Sequence, residues 1–490
     1  MQLKECADAP LDYKTFAWFL AVVGGYRTGC PKPWLRVGTG NGWRRLAILR
    51  PMRTLAYLSA PILLLSTLLH AQVSLPPTHF IGGRWFNGTS FAVTDFYVAD
   101  GRLTHRKPEG AVATVDLHGG YVVPPFGDAH EHYFDSVGQA PELTQQYLRD
   151  GIFYAQGVTD IASGAARVVA AGLVNTPTTV DVTYAHGGIT APNGHPKEIY
   201  EQYALGFYTY PITAEQKAQI LASHLRLNDA YWEVDSAETL AKMWPRILAG
   251  KPDLIKVYLL HSETYAQQDN AHPPLAKGLN PALVPLIVQL AHAAGLKVAA
   301  HIDTAADFHV AVLAGVDEMA HMPGYYVADE EEYARCRLAD ADIAQAARQH
   351  VRVIATAGLE IDDAKPAEVA RIRRSQVDNL TRLKAAGISV LMGSDHYGHD
   401  TLQEARWMKA LGVYSNLKLL RMYAVQTPQD IFPRRKVGEL REGFEASFLV
   451  LRANPLDDWK AIEDISDRWK GGHHLELPPV FLPGKAEQKP

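Results

Sequence analysis

From residue 121 onwards the chain keeps a rhythm that few folds can satisfy: brief apolar runs alternate with helical stretches. The runs are Tyr121–Phe126, Val158–Ile161, Thr179–Thr183, Leu254–Leu259, Val298–His301, Glu318–His321, Val351–Ile354 and Ile388–Met392. Between several of them lie amphipathic segments such as Pro281–Ala294, closed by Gly295, the usual punctuation between a helix and the next strand. Eight strand–helix units predict an α/β fold, a (β/α)8 TIM barrel over residues 123–430. The interval from His186 to Pro252 is too long for one crossover helix. It carries Gly187–Pro196, several tyrosines and a helical tract near 213–226, and is expected to shape the substrate pocket.

Short strands punctuated by Gly, Asn and Asp flank this region, over 79–122 and again over 431–477. The two segments are expected to pair into one small β-sandwich, followed by a loose tail, 478–490.

Near the start, Met52-Arg-Thr opens an apolar stretch that reaches Leu69 and is followed by His-Ala-Gln72. A basic start, an apolar centre and a small residue at Ala71 fit a signal peptide over 52–71. Residues 1–51 then form an upstream extension, with Met52 rather than Met1 as the natural start. The stretch is short for a membrane span and holds Pro61, so no stable span is expected once it is cleaved, although an uncleaved form would be an anchor. Cleavage would leave Cys336 as the only thiol, and the expected location is periplasmic or secreted. A net charge of -5 gives no reason to expect nucleic acid as a partner. Oligomeric state is not readable.

Polar residues close the apolar runs where barrel strands would end. The first gives His130 and His132, which an extended chain presents on the same side. Lys256 lies inside the fourth run, His301 ends the fifth, His321 ends the sixth, and Asp395 follows the eighth. In a barrel these positions converge at the C-terminal mouth. Four histidines, a carboxylate and a buried lysine suit two divalent metals with room for water.

His130-Glu-His132, Lys256, His301, His321 and Asp395, in that order, resemble the amidohydrolase superfamily over essentially all of residues 79–477. Gly194-His195-Pro196 and the Ile255-Lys256 strand look like its imidazolonepropionase-like and prolidase-like branch. One departure is Pro124-Pro125-Phe126-Gly127-Asp128, where the family has Pro-Gly-Phe-Ile-Asp; another is His396 after Asp395. The resemblance implies a metal-dependent hydrolase of an amide or peptide-like carbon–nitrogen bond. Its ions, expected as zinc though such ligands also accept manganese, cobalt or iron, would sit on His130 and His132 and on His301 and His321. Lys256 would bridge them as a carbamate, and Asp395 would ligate one ion and carry the proton to the leaving group. Asp128 would hold the His-x-His turn. His195, Tyr258, His261 and Tyr397 are candidate contacts for a small-molecule or dipeptide substrate. A lactone or ester hydrolase on the same site and a non-catalytic binding protein of the same fold are the alternatives.

Overall fold

The computed structural model describes residues 76–208, 211–267, 277–359, 361, 364–395 and 400–477. The expected extension and leader, the tail and Tyr397 lie outside the described residues. Among those described, no helix is long and apolar enough to cross a membrane.

The alternating region forms two parallel sheets. Three strands, Phe126–Glu131, Ile152–Gly157 and Asp181–Tyr184, pair in chain order. Seven more run side by side as Tyr231–Glu233, Gly188–Thr190, Leu254–Tyr258, Lys297–His301, Glu318–Met319, Arg352–Ile354 and Ser389–Leu391. Helices such as Ala140–Arg149, Val284–Ala293, Ala305–Ala314 and Pro366–Ala385 return the chain between strands. Both faces of the strands are apolar, as parallel sheets require. Val298 and Ala300 join the large cluster under the helices, while Ala299 packs on the other face with Leu254, Val158 and Ala185.

The ladder is not continuous between the two sheets. At one seam Ala129 N donates to Met392 O (2.9 Å) and Asp395 N to His130 O (2.8 Å). At the other, Asp253 N donates to Tyr184 O (2.8 Å). Gly393 permits the first seam: a Cβ there would lie 2.4 Å from Ile354 Cγ2 and 2.8 Å from His130 Cβ.

Two predicted strands move. Tyr121–Phe126 divides at Pro124-Pro125, neither of which can donate to a ladder; Tyr121–Val123 joins the flanking sheet and Phe126–Glu131 joins the parallel one. Val158–Ile161 is the loop after its strand, which is Ile152–Gly157 and starts just past the left-handed Gly151 (φ 81°). That strand hides a polar residue, Gln156, whose amide donates to Ala129 O (3.1 Å) and Glu318 (3.2 Å).

The flanks build a four-stranded and a six-stranded sheet. In the latter, Tyr121–Val123 pairs parallel to Arg84–Trp85 and antiparallel to Leu449–Leu451, so segments from both ends of the described chain share one sheet. Phe80, Trp85, Phe96, Val122, Phe448 and Val450 form one apolar cluster, with the Phe80 and Phe448 rings edge to face at 5.1 Å.

The long interval is ordered by two buried charges. Lys197 Nζ donates to Asn193 Oδ1 (2.8 Å) and Leu221 O (2.9 Å). Glu201 accepts from Ser223, Leu225 N, Arg226 N and Tyr231 OH. The predicted helical tract is Ala214–Ala222, with Thr213 and Gln216 forming a capping box.

Candidate metal centre

His130 is the fifth residue of the strand Phe126–Glu131 and His132 follows its end. Their side-by-side projection brings Nε2 to within 3.0 Å of Nε2. Each ring is oriented from behind: His130 Nδ1 donates to Ala320 O (2.8 Å) and His132 Nδ1 to Thr159 O (2.7 Å). These bonds fix the tautomer that leaves Nε2 as the lone-pair nitrogen.

Asp395 meets the pair from the opposite side of the seam. Its backbone is left-handed (φ 47°), a conformation Asp tolerates better than most residues. Oδ1 lies 3.0 Å from His132 Nε2 and 3.3 Å from His130 Nε2; Oδ2 lies 3.4 Å from His321 Nδ1. Burial alone would raise the Asp395 carboxyl, but His130, His321 and His132 hold it well below the usual carboxylate range. Burial lowers His130 and His321 well below ordinary histidine, so both rings are neutral, the form that binds a cation. Ligand atoms of His130, His321 and Asp395 lie within 4.8 Å of one another.

His301 ends the strand Lys297–His301, its ring 4.5 Å from that of His321 between centroids. Its Nε2 is 3.1 Å from Asp303 Oδ1, and Tyr325 OH donates to the same oxygen. Lys256 projects from the middle of Leu254–Tyr258 and is 1% exposed. Among the described residues its Nζ has no hydrogen-bond partner, and burial lowers it to about 7 against the pull of Asp395 and Glu318. An unsatisfied buried amine is expensive without a ligand. Neutral imidazoles, an ionised carboxylate and a deprotonatable amine together fit divalent cations.

Of the substrate candidates, His195 and Tyr258 border this cluster. The His195 ring is 4.9 Å from His301 and 5.0 Å from Tyr258, and its Nδ1 pairs with Glu198. Burial opposes the charged form of His195, yet Glu198 raises it on balance. Tyr258 OH bonds Thr159 Oγ1 (2.6 Å), and its ring lies against Gly188, where a Cβ would sit 2.4 Å from Cε2. His261 is turned elsewhere: its backbone N donates to Asp307 Oδ2 (3.1 Å) and its ring lies 3.6 Å from Glu263.

Sequence reasoning passed over Asp303, Tyr325, Glu198 and Thr356, the last 3.0 Å from His321 Nδ1. Asp303 stands two residues after His301, the spacing of His130 and His132, but past the end of the strand Lys297–His301. Asp128 does hold the His-x-His turn. It accepts from His130 N (3.1 Å) and Tyr147 OH (3.0 Å), and also binds Ser394 through its N (3.0 Å) and Oγ (2.7 Å).

A family model described as the amidohydrolase family matches residues 121–473. Among curated proteins, an ochratoxinase from Aspergillus niger is 25% identical over 218 residues, 43% of this chain and 44% of that one. The match thus spans under half the length of that curated relative. The crystal structure of A. niger ochratoxinase superposes with a TM-score of 0.60 at 16% identity, covering 83% of this chain and 96% of that one. A prolidase complexed with N-methylphosphonate-L-proline gives 0.61 at 17%, covering 82% and 100%. These likenesses make the fold a TIM-barrel-like α/β fold. With the family model spanning the parallel sheets and reaching into both flanking segments, the chain belongs to the amidohydrolase family.

Proposed function

We propose that this protein is a metal-dependent hydrolase of a carbon–nitrogen bond in a dipeptide, an N-acyl amino acid or a cyclic amide. One observation carries the reading. Four imidazoles and Asp395 gather around a buried lysine amine that has no hydrogen-bond partner among the described residues. The names of the ochratoxinase and of the prolidase with its proline phosphonate support a substrate of this size. The prolidase-like branch is part of the proposal.

In this reading His130 and His132 would hold one ion, His301 and His321 the other, and Asp395 would contribute to the first. Lys256, neutral at Nζ, could add CO2 and release a proton to solvent, and the carbamate anion so formed would offer a cation the negative charge that a plain amine lacks. When bound, divalent cations, read as zinc, would supply Lewis acidity to the attacking water and the scissile carbonyl. The chain's own residues do the rest. Asp395, an ionised carboxylate beside these rings, would take a proton and return it to the leaving nitrogen. His195 and Tyr258 line the approach and orient the substrate.

The architecture is read to match. The two parallel sheets close into one barrel across their hydrogen-bonded seams, over 123–430. The flanking sheets form a β-sandwich from 79–122 and 431–477. A leader at 52–71 directs the chain to the periplasm or outside the cell.

The test is metal content per chain on protein purified without chelator, wild type beside Lys256→Ala, with a screen of dipeptides and N-acyl amino acids. The expected result is about two ions per wild-type chain, with occupancy and hydrolysis both lost in the variant. One ion or none in the wild type would sink the binuclear reading.

A further inference from the structure

We propose that Asp303, seated by Tyr325, is a positioning residue that fixes the His301 imidazole with its Nδ1 towards the metal site. The inference rests on the binuclear reading above and goes beyond it by separating the two ions in strength.

The four histidines are not held alike. His130 and His132 direct Nδ1 at the backbone oxygens of Ala320 and Thr159, and His321 Nδ1 lies 3.0 Å from Thr356 Oγ1 and 3.4 Å from Asp395 Oδ2. His130 and His132 turn Nε2 towards Asp395 Oδ1, at 3.3 and 3.0 Å, whereas His301 turns Nε2 towards a different acid, 3.1 Å from Asp303 Oδ1. A carboxylate behind an imidazole keeps the proton on the nitrogen facing it. It leaves the lone pair on the other nitrogen and makes the ring a stronger donor to a cation.

Asp303 is itself held in place. Its backbone N donates to Asp307 Oδ2 (3.0 Å), and the next residue, Thr304, caps the helix Ala305–Ala314 in a box with Asp307. Thr304 supplies that cap, so the Asp303 side chain is not needed for it and turns to His301, 16% exposed. Tyr325 OH donates to the oxygen that faces His301, while its ring packs 5.3 Å from that of His321. One carboxylate and one phenol thus brace both imidazoles assigned to the second ion. With two donors on that oxygen, Asp303 acts through His301.

The experiment is a titration of metal-free full-length protein with Co2+, followed by the visible absorption of the bound ion. Wild type, Asp303→Ala and Tyr325→Phe are compared. Wild type should take up two equivalents. In Asp303→Ala one equivalent should bind about 10- to 100-fold more weakly with a shifted absorption band, while the other keeps its affinity and band. Tyr325→Phe should move the same equivalent in the same direction by a smaller factor. Wild-type affinity and spectrum for both equivalents in Asp303→Ala, or equal weakening of both, would overturn the assignment. If Asp303→Ala does not fold, an unchanged titration of Tyr325→Phe overturns it. Failure of the underlying reading is distinguishable, because wild type itself would then take up fewer than two equivalents.

Discussion

At the scale of single residues, the sharpest tension is Lys256. An amine buried to 1% exposure with no hydrogen-bond partner among the described residues destabilises the metal-free fold, a cost that the cation of the proposed function would offset. Lys256→Met, close in length and without charge, should therefore stabilise the metal-free protein by about 2 kcal/mol while abolishing uptake of the bridged pair of ions. Thermal unfolding in chelator and metal analysis after dialysis check the two halves separately. A variant less stable than wild type in chelator would mean that the amine has a partner after all. His130 and His132 could be read from the sequence because a spacing of two has one meaning on an extended chain. Asp303 has the same spacing from His301, but a lone acid near a histidine carries no marker until the fold shows which nitrogen it faces.

At the scale of elements, the seam between the first and last parallel strands sets the geometry of the site. Asp128 ties the backbone of His130 to Ser394, and Asp395 N returns the tie to His130 O. Gly393 is the reason the two strands come this close. Gly393→Ala should push His130 away from Asp395, cost about 1–3 kcal/mol and reduce metal occupancy. Calorimetry beside metal analysis tests this, and full occupancy with wild-type stability would refute it. Strand boundaries at this seam were hard to read. Pro124-Pro125 lies between two apolar runs that belong to different sheets, and a continuous run does not say which sheet it joins. Ile152–Gly157 was missed because a buried Gln156 broke its apolar signature. The strands bearing Lys256 and His301 were legible, since the runs Leu254–Leu259 and Val298–His301 each hold one polar side chain among apolar ones, and His321 lies two residues past the short strand Glu318–Met319.

At the scale of the whole molecule, buried carboxyls give the fold a pH dependence of its own. Burial raises Glu404 to about 7 despite the bonds it accepts from Ala357 and Gly358 backbone N–H groups. Its folded pKa thus lies above its unfolded value of 4.5, so the unfolded chain releases that proton first. The contribution of Glu404 is fully present below pH 4.5 and is lost as pH rises to about 7. Glu404→Gln does not titrate, so its stability relative to wild type should improve by roughly 3 kcal/mol between pH 4.5 and 7 and stay level above. Denaturant unfolding across that range measures it, and a constant difference between the two proteins would rule it out.

The shared sheet of the two flanks has a consequence for how the chain is made. Tyr121–Val123 waits for a neighbour, Phe448–Leu451, that leaves the ribosome more than three hundred residues later. Until then one edge of an apolar strand stands open, a template for pairing with another nascent copy. The order of synthesis is therefore the hazard of this architecture. A rearranged gene in which the two flanks are translated consecutively, with new ends in a surface loop of the alternating region, would shorten that exposure from most of the chain to a single hairpin.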